Sequence, residues 1–314
     1  MGLVHAGILN VLPNVELVAF CEKSNLIRRL SSKLFTSLET VDDLEKLAGL
    51  NLDAAYITTP IPTHFSIAKT LLEKKIAENL FVEKTLAQTY KESKSLVDLA
   101  CAHQSVTMVG YLRRFYVTFN KARELLQEDA IGRIESFMAY AYSSDFIGLE
   151  KETKTSNSRG GVLRDLGCHA IDLALWLFGD LEVESSQKPP WRTDAAVSFG
   201  VESSQMTGVF DISWYKKDYR MPEVGFSIIG SKGKLFVNDD QIKLEIANGK
   251  GSRLYRHDLN DTVPFWLGLP EYYREDLHFV NDVVSRSKAE SDFSSAARVD
   301  KIIDNVVGRQ VGEQ

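Results

Sequence analysis

The alternation of apolar and polar positions changes character once along the chain. Residues 2–12 carry Val4, Ile8, Leu9 and Leu12 at helical spacing, and residues 15–21 (VELVAFC) form an apolar run that reads as a buried strand. The same pair of signals then recurs. Helical spacing covers 26–34, 63–75 and 91–103, and strands are predicted over 53–58, 80–83 and 106–109. This alternation predicts a parallel sheet with helices on both faces. Ligands of such open sheets bind at the carboxyl ends of the strands. The residues to inspect are therefore Glu22, Thr58, Thr59, Pro60, Glu83, Lys84, Gly110 and Tyr111.

Past Phe115 the pattern is different. A helix is predicted over 117–128 and a long strand over 134–142. The polar stretch 145–160 has no period and reads as a mobile loop, and 166–178 is an apolar helix ended by Gly179. Strands then follow at 194–202, 206–215, 224–230, 234–237, 241–246 and 252–257, with closing helices at 271–287 and 294–307. That run predicts one large, mostly antiparallel sheet. The expected organisation is an α/β domain over 1–112 followed by an α+β domain over 113–314.

Composition agrees with two cores: the chain has 314 residues, 44% of them hydrophobic. Its 37 basic and 43 acidic residues leave a net charge of −6, which provides no electrostatic footprint for nucleic acid or an anionic membrane. No apolar run approaches the ~20 residues of a membrane helix. Three cysteines without a C-x-x-C argue against a disulfide framework or a zinc site, and a reducing, cytoplasmic setting is expected. No H-x-x-x-H spacing, G-x-S-x-G elbow or P-loop is present, so no metal is expected.

Three local signals carry chemistry. Gly2 opens a helix, and Glu22 ends the next strand 20 residues later. A dinucleotide fold places a glycine at a helix start for close helix–strand packing, and an acidic residue about 20 positions on for the ribose hydroxyls. Glu22 favours NAD over NADP, although Lys23 and Ser24 beside it could meet a 2′-phosphate. The second signal is Phe81-Val82-Glu83-Lys84 at a strand end. A lysine there can hydrogen-bond a substrate hydroxyl and stabilise developing alkoxide character. Thr58, Thr59, Pro60, His64 and Glu83 are the remaining candidate cofactor contacts. The third signal is Asp165 and His169, four apart on an expected helix. There the carboxylate can orient the imidazole, and His is suited to accept a hydroxyl proton. Asp172 can reach the same ring, and Arg113 follows the fourth strand as a candidate substrate contact.

In order, these segments resemble the Gfo/Idh/MocA oxidoreductases. The matching pieces are MGLVHAGIL, VELVAFCEKS, YITTPIPTHFSIAKTLLEKKI, FVEKTLAQT, GYLRRF, GGVLRDLGCHAIDLALWLFG and DAAVSFGVESSQMTGVFDISW. The resemblance implies a Rossmann domain followed by an open-sheet domain, paired into homodimers or homotetramers through that sheet. It implies Lys84 as the lysine of the E-K-P motif and Asp165 and His169 as the D-x-x-x-H pair. The implied reaction moves hydride between NAD and a secondary alcohol of a sugar or cyclitol. Two departures stand out. The motif's proline is Thr85, which removes a constraint on the lysine's backbone. The family's first strand and first two glycines would precede Met1, so the expectation is a start inside a motif, with a slot between the strand ending at Cys21 and that ending at Thr58. Both departures keep open the alternative of a non-catalytic sensor on the same fold, or an inactive fragment.

Overall fold

The computed structural model describes all residues except 36–37, 148–158, 188–195, 248, 250 and 313–314. It divides into two units. The first comprises 1–87, 91–110 and 263–295, and the second 88–90, 111–262 and 296–314. The expected boundary near 112 is close to the change at 110/111, but a continuous C-terminal domain is not what forms. Residues 263–295 join the first unit because an apolar stripe on them covers the first helix.

That helix, α1 (Gly2–Leu9), buries Ile8 and Leu9 with Leu12 just beyond it. Tyr272, Tyr273, Leu277 and Val280 of helix α7 (Pro270–Ser285) pack against this cluster, together with Phe265 and Leu267. The sheet strands of the first unit fall into two groups. β1 (Ala19–Cys21) pairs in parallel with β2 (Glu39–Val41). β3 (Leu52–Ile57), β4 (Ala77–Glu83) and β5 (Thr107–Gly110) form a separate parallel sheet in that order. The expected break between the strands ending at Cys21 and near Thr58 is thus present. Among the described residues, no strand pairs with the second edge of β1 or of β3. Helices α2 (Asn25–Leu34), α3 (His64–Glu73) and α4 (Tyr90–His103) alternate with these strands, as the periodicity predicts.

The second unit is built on one eight-stranded sheet. Its strands are β6 (Ile134–Tyr142), β7 (Glu182–Gln187), β8 (Ala196–Glu202), β9 (Thr207–Ser213), β10 (Glu223–Gly230), β11 (Gly233–Asn238), β12 (Gln241–Ile246) and β13 (Gly251–Tyr255). They run in the order β13-β12-β11-β10-β6-β9-β8-β7, antiparallel throughout except for the parallel pair β6–β9. Alternation along β6 sends Phe137, Ala139 and Ala141 into the core. There Phe137 stacks on Phe178 at 4.6 Å, the last residue of α6 (Cys168–Phe178). Helix α5 (Val117–Gln127) packs on β11 and β12, and α6 on β6 and β10. The other face leaves Met138, Val209 and Ile229 at 45%, 48% and 42% exposure.

Two local features depart from the periodicity. The segment leading into α6 is a π-turn (Leu163–Gly167), not the start of an α-helix. The expected loop at 145–160 lies mostly outside the described residues, as do the first two residues of the strand expected at 194–202.

Candidate active site

Lys84 follows the last residue of β4, and its flanking backbone is held on both sides. Its own N–H donates to Glu83 Oε2 at 3.2 Å. The next peptide, Lys84–Thr85, is cis. Thr85 is buried, its hydroxyl donates to the Ala87 carbonyl at 3.2 Å, and its own carbonyl lies 2.8 Å from His64 Nδ1. The other ring nitrogen of His64 is 2.7 Å from the Thr59 carbonyl. His64 therefore staples the loop after β3 to the turn after Lys84. Both partners are acceptors, and a neutral imidazole can donate to only one of them. Burial lowers the His64 pKa, with the two carbonyls opposing. Both ring nitrogens are thus engaged with backbone carbonyls.

Glu83 is likewise occupied. Its Oε1 meets His5 Nε2 at 3.2 Å, and His5 Nδ1 meets Asp276 Oδ1 at 2.8 Å. Burial alone would lower the His5 pKa, but hydrogen bonds to Asp276 and Glu83, and their charges, outweigh it and push it up to about 10. Burial would raise Glu83; its bond to His5 and the His5 charge, with Lys84 behind, hold it below the usual carboxylate range. Burial raises the Asp276 pKa, and the 2.8 Å contact with His5 opposes that rise without cancelling it. Glu83 is thus the part-exposed end of a charged chain that runs to Asp276. Neither His5 nor Asp276 stood out in the sequence as a functional residue. The available signals were a histidine in an otherwise apolar helix and an acid on the Tyr272–Asp276–Val280 stripe of α7.

In the second unit, Asp165 lies within the π-turn and His169 in the first turn of α6. The four-residue spacing therefore spans a wider turn than the α-helix expected of it. Both side chains are half-buried. Arg159 donates to Asp165 Oδ2 at 3.1 Å and to Asp145 Oδ2 at 3.2 Å. Sequence reading did not find Arg159, because it sits at the edge of a stretch without period. His169 lies edge-on to the buried Tyr111, with ring centroids 6.5 Å apart. The two candidate substrate contacts are engaged elsewhere. Asp172 takes a two-point bond from Arg114, at 2.9 and 2.6 Å, and Arg113 makes the same kind of bond to Asp239, at 3.1 and 3.0 Å. All four are buried, and such bidentate pairs fix structure.

The residues present fit a dinucleotide. A Cβ added at Gly2 would lie 2.8 Å from Thr58 Oγ1, so the helix start and the β3 end approach as closely as that fold requires. No side chain caps α1 and its first turn holds no acid, which suits an anion at the helix start. Glu22 is half-buried at the end of β1 and accepts from the Ser24 N–H at 2.8 Å, while Lys23 is exposed. A carboxylate with one oxygen so used still has acceptor capacity for a ribose hydroxyl. Pro60, with Thr59, begins the short turn that leads into α3.

A Rossmann-type parallel sheet in one unit and a large open antiparallel sheet in the other define the class: two-domain, nucleotide-binding oxidoreductases. The chain belongs to the Gfo/Idh/MocA family. Residues 1–111 match its "Oxidoreductase family, NAD-binding Rossmann fold" and residues 119–236 its "GFO/IDH/MocA C-terminal domain". Inositol 2-dehydrogenase of Rhizobium meliloti is 22% identical over 80% of this chain and 77% of that protein. An uncharacterised oxidoreductase of Schizosaccharomyces pombe is 29% identical over 47% of this chain, a match spanning only 38% of that protein. Among solved structures, levoglucosan dehydrogenase in complex with NADH and levoglucosan superposes with a TM-score of 0.87 at 19% identity, covering 99% of this chain and 94% of that one. An inositol dehydrogenase homologue from Azotobacter vinelandii, complexed with NADH and myo-inositol, gives 0.80 at 18% identity over 98% and 92%.

Proposed function

We propose that this protein is an NAD-dependent dehydrogenase acting on a secondary alcohol of a sugar or cyclitol. The observation that carries the reading is Lys84, its backbone fixed on both sides at the carboxyl end of a strand, in a chain whose family is that of NAD-binding oxidoreductases. The start of α1 and Glu22 would hold the dinucleotide. NAD, when bound, supplies the hydride acceptor. Lys84 donates a hydrogen bond to the reacting hydroxyl and stabilises negative charge growing on its oxygen. His169 accepts the hydroxyl proton, and Asp165 orients substrate and imidazole. Glu22 favours NAD because a carboxylate repels a 2′-phosphate.

The sugar class is supported by relatives named as inositol, levoglucosan and D-apiose dehydrogenases. The exposed sheet face around Met138, Val209 and Ile229 is the surface we assign to pairing of identical chains. Among the described residues no helix is long and apolar enough to cross a membrane. The test is to titrate NADH by fluorescence, then follow absorbance at 340 nm with NAD and a panel of free sugars, inositols and anhydrosugars. Saturable NADH binding with turnover of at least one polyol is expected. A folded protein that binds no NADH overturns the reading.

A further inference from the structure

Three side chains from three distant stretches of the first unit form one chain that ends at the backbone N–H of Lys84. Asp276 comes from α7, His5 from α1, and Glu83 from the last position of β4. His5 and Asp276 are 1% and 0% exposed. His5 bridges the two carboxylates, at 2.8 Å to Asp276 and 3.2 Å to Glu83. The second oxygen of Glu83 accepts the backbone N–H of Lys84.

The surroundings leave this chain little freedom. The His5 ring lies 5.1 Å from Phe81, 5.5 Å from Tyr56 and 5.8 Å from Tyr272, centroid to centroid. Gly110 on β5 is opposite Glu83, and a Cβ there would sit 3.2 Å from Glu83 Oε2 and 3.2 Å from the Phe81 ring. Glycine at that position makes room for the carboxylate. The titratable groups facing His5 are Asp276 and Glu83, with the Tyr56 and Tyr272 rings packed against it and the Glu275 charge acting on Tyr56. A cation between two carboxylates favours its own charged form and that of Glu83, while at Asp276 burial outweighs the cation.

We infer that His5 is the positioning residue for Lys84. As an imidazolium held between Asp276 and Glu83, it fixes the carboxylate that receives the lysine's backbone N–H. It thereby sets both the starting direction of the lysine side chain and the negative charge beside it. This rests on Lys84 being the polarising group of the proposed reaction. The link also joins α1, whose first turn would hold the dinucleotide in the proposed function, to the strand end that carries the lysine.

Three measurements on the full chain test this. The first needs no variant: with 15N-histidine labelling, His5 at about pH 8 should show both ring nitrogens protonated, whereas an unperturbed histidine is then neutral. A single neutral tautomer overturns the inference. The second compares competitive acetylation of Lys84 across pH, read by peptide mass spectrometry, in the wild type, His5→Gln and Glu83→Gln. The Lys84 labelling profile should shift in both variants while exposed lysines such as Lys23 keep theirs. An unchanged Lys84 profile in a folded variant overturns the inference. Should His5→Gln fail to fold, Glu83→Gln and Asp276→Asn carry the same test. The third applies once a substrate is in hand: His5→Gln should lower kcat roughly tenfold, as small misplacements of a reacting group do, with KM for NAD within about twofold. Equal loss in KM with kcat intact overturns it. A wild type that turns over no polyol sinks the role of Lys84 in the reaction, and the nitrogen and labelling results still decide whether His5 positions it.

Discussion

Lys84 and Asp165 are placed by contacts of opposite kinds. The backbone around Lys84 is tied through the part-exposed Glu83 to the buried His5 and Asp276, and through Thr85 to the buried His64, partners far apart in sequence. Asp165 meets Arg159, six residues earlier in the chain, and that guanidinium is 39% exposed. Buried contacts converging from several elements hold a group within the tolerance catalysis requires. A partly exposed ion pair contributes little to geometry and can be exchanged for water or a ligand. The backbone of Lys84 is therefore preorganised by the fold, whereas the Arg159 contact of Asp165 is one that solvent and salt can weaken.

The largest effects break the comparison at its chemistry. His169→Ala should lower kcat roughly 10²–10⁴-fold, the range of a lost general base. Lys84→Ala should lower it about 10²–10³-fold, the range of one donor to a developing oxyanion. Both should keep NADH affinity within about threefold, read by fluorescence titration. The shape of the pH–rate profile separates them, since only His169→Ala removes the limb that reports the base. A Lys84→Ala protein with nearly full activity would mean that the rigid site is scaffolding alone.

How much of this was legible in the sequence depends on how far apart the partners lie. The strand over 241–246 and the one over 134–142 are where the periodicity puts them, because an alternating pattern needs only its own residues. β2 and β7 escaped notice because ETV and EVESSQ are short or polar and carry no apolar alternation. The π-turn was read as helix because one extra residue per turn leaves the apolar spacing nearly unchanged. Lys84 and Glu22 could be found as residues at strand ends. His5 could not, since its partner Asp276 is 271 positions away and α7 follows the second sheet in chain order. Arg113 and Asp172 attracted notice as charged groups near the site, and only folding shows that each is spent on its own buried partner.

A smaller effect sharpens the lysine side of the comparison through pH. The His5 pKa rises from 6.5 to about 10 in the folded chain. Its stabilisation is thus fully present below about pH 6.5 and is lost as pH rises toward 10. His64 has the reverse sign. Its folded value is lowered from 6.5 by burial, so its contribution is present above that pH and is lost as pH falls. In thermal unfolding, the Tm gap between wild type and His5→Gln should narrow between pH 7 and pH 10, by several degrees. The gap to His64→Gln should instead narrow on going below about pH 6.5. A His5→Gln gap that widens in alkali would show a neutral ring in the folded state and remove the charged bridge from the argument.

The smallest effect concerns Arg159. Burial opposes its charge, but Asp165 and Asp145 together raise its pKa, so it stays a cation at every working pH. Its bonds to the two aspartates and its place 5.7 Å from the Phe146 ring hold the end of the polar stretch against the π-turn. An exposed pair of this kind contributes about 0.2–1 kcal/mol, so Arg159→Ala should change Tm by no more than a few degrees. Its effect on turnover should be a few-fold and should fall on KM for the polyol more than on kcat, because what is lost is a neighbour of the orienting carboxylate and not the proton acceptor. Raised ionic strength should reproduce part of that KM change in the wild type and little of it in the variant, since salt screens the same exposed charges. If Arg159→Ala instead lowers kcat as far as His169→Ala does, Asp165 depends on that guanidinium as strictly as Lys84 depends on its buried chain, and the two sites are held alike.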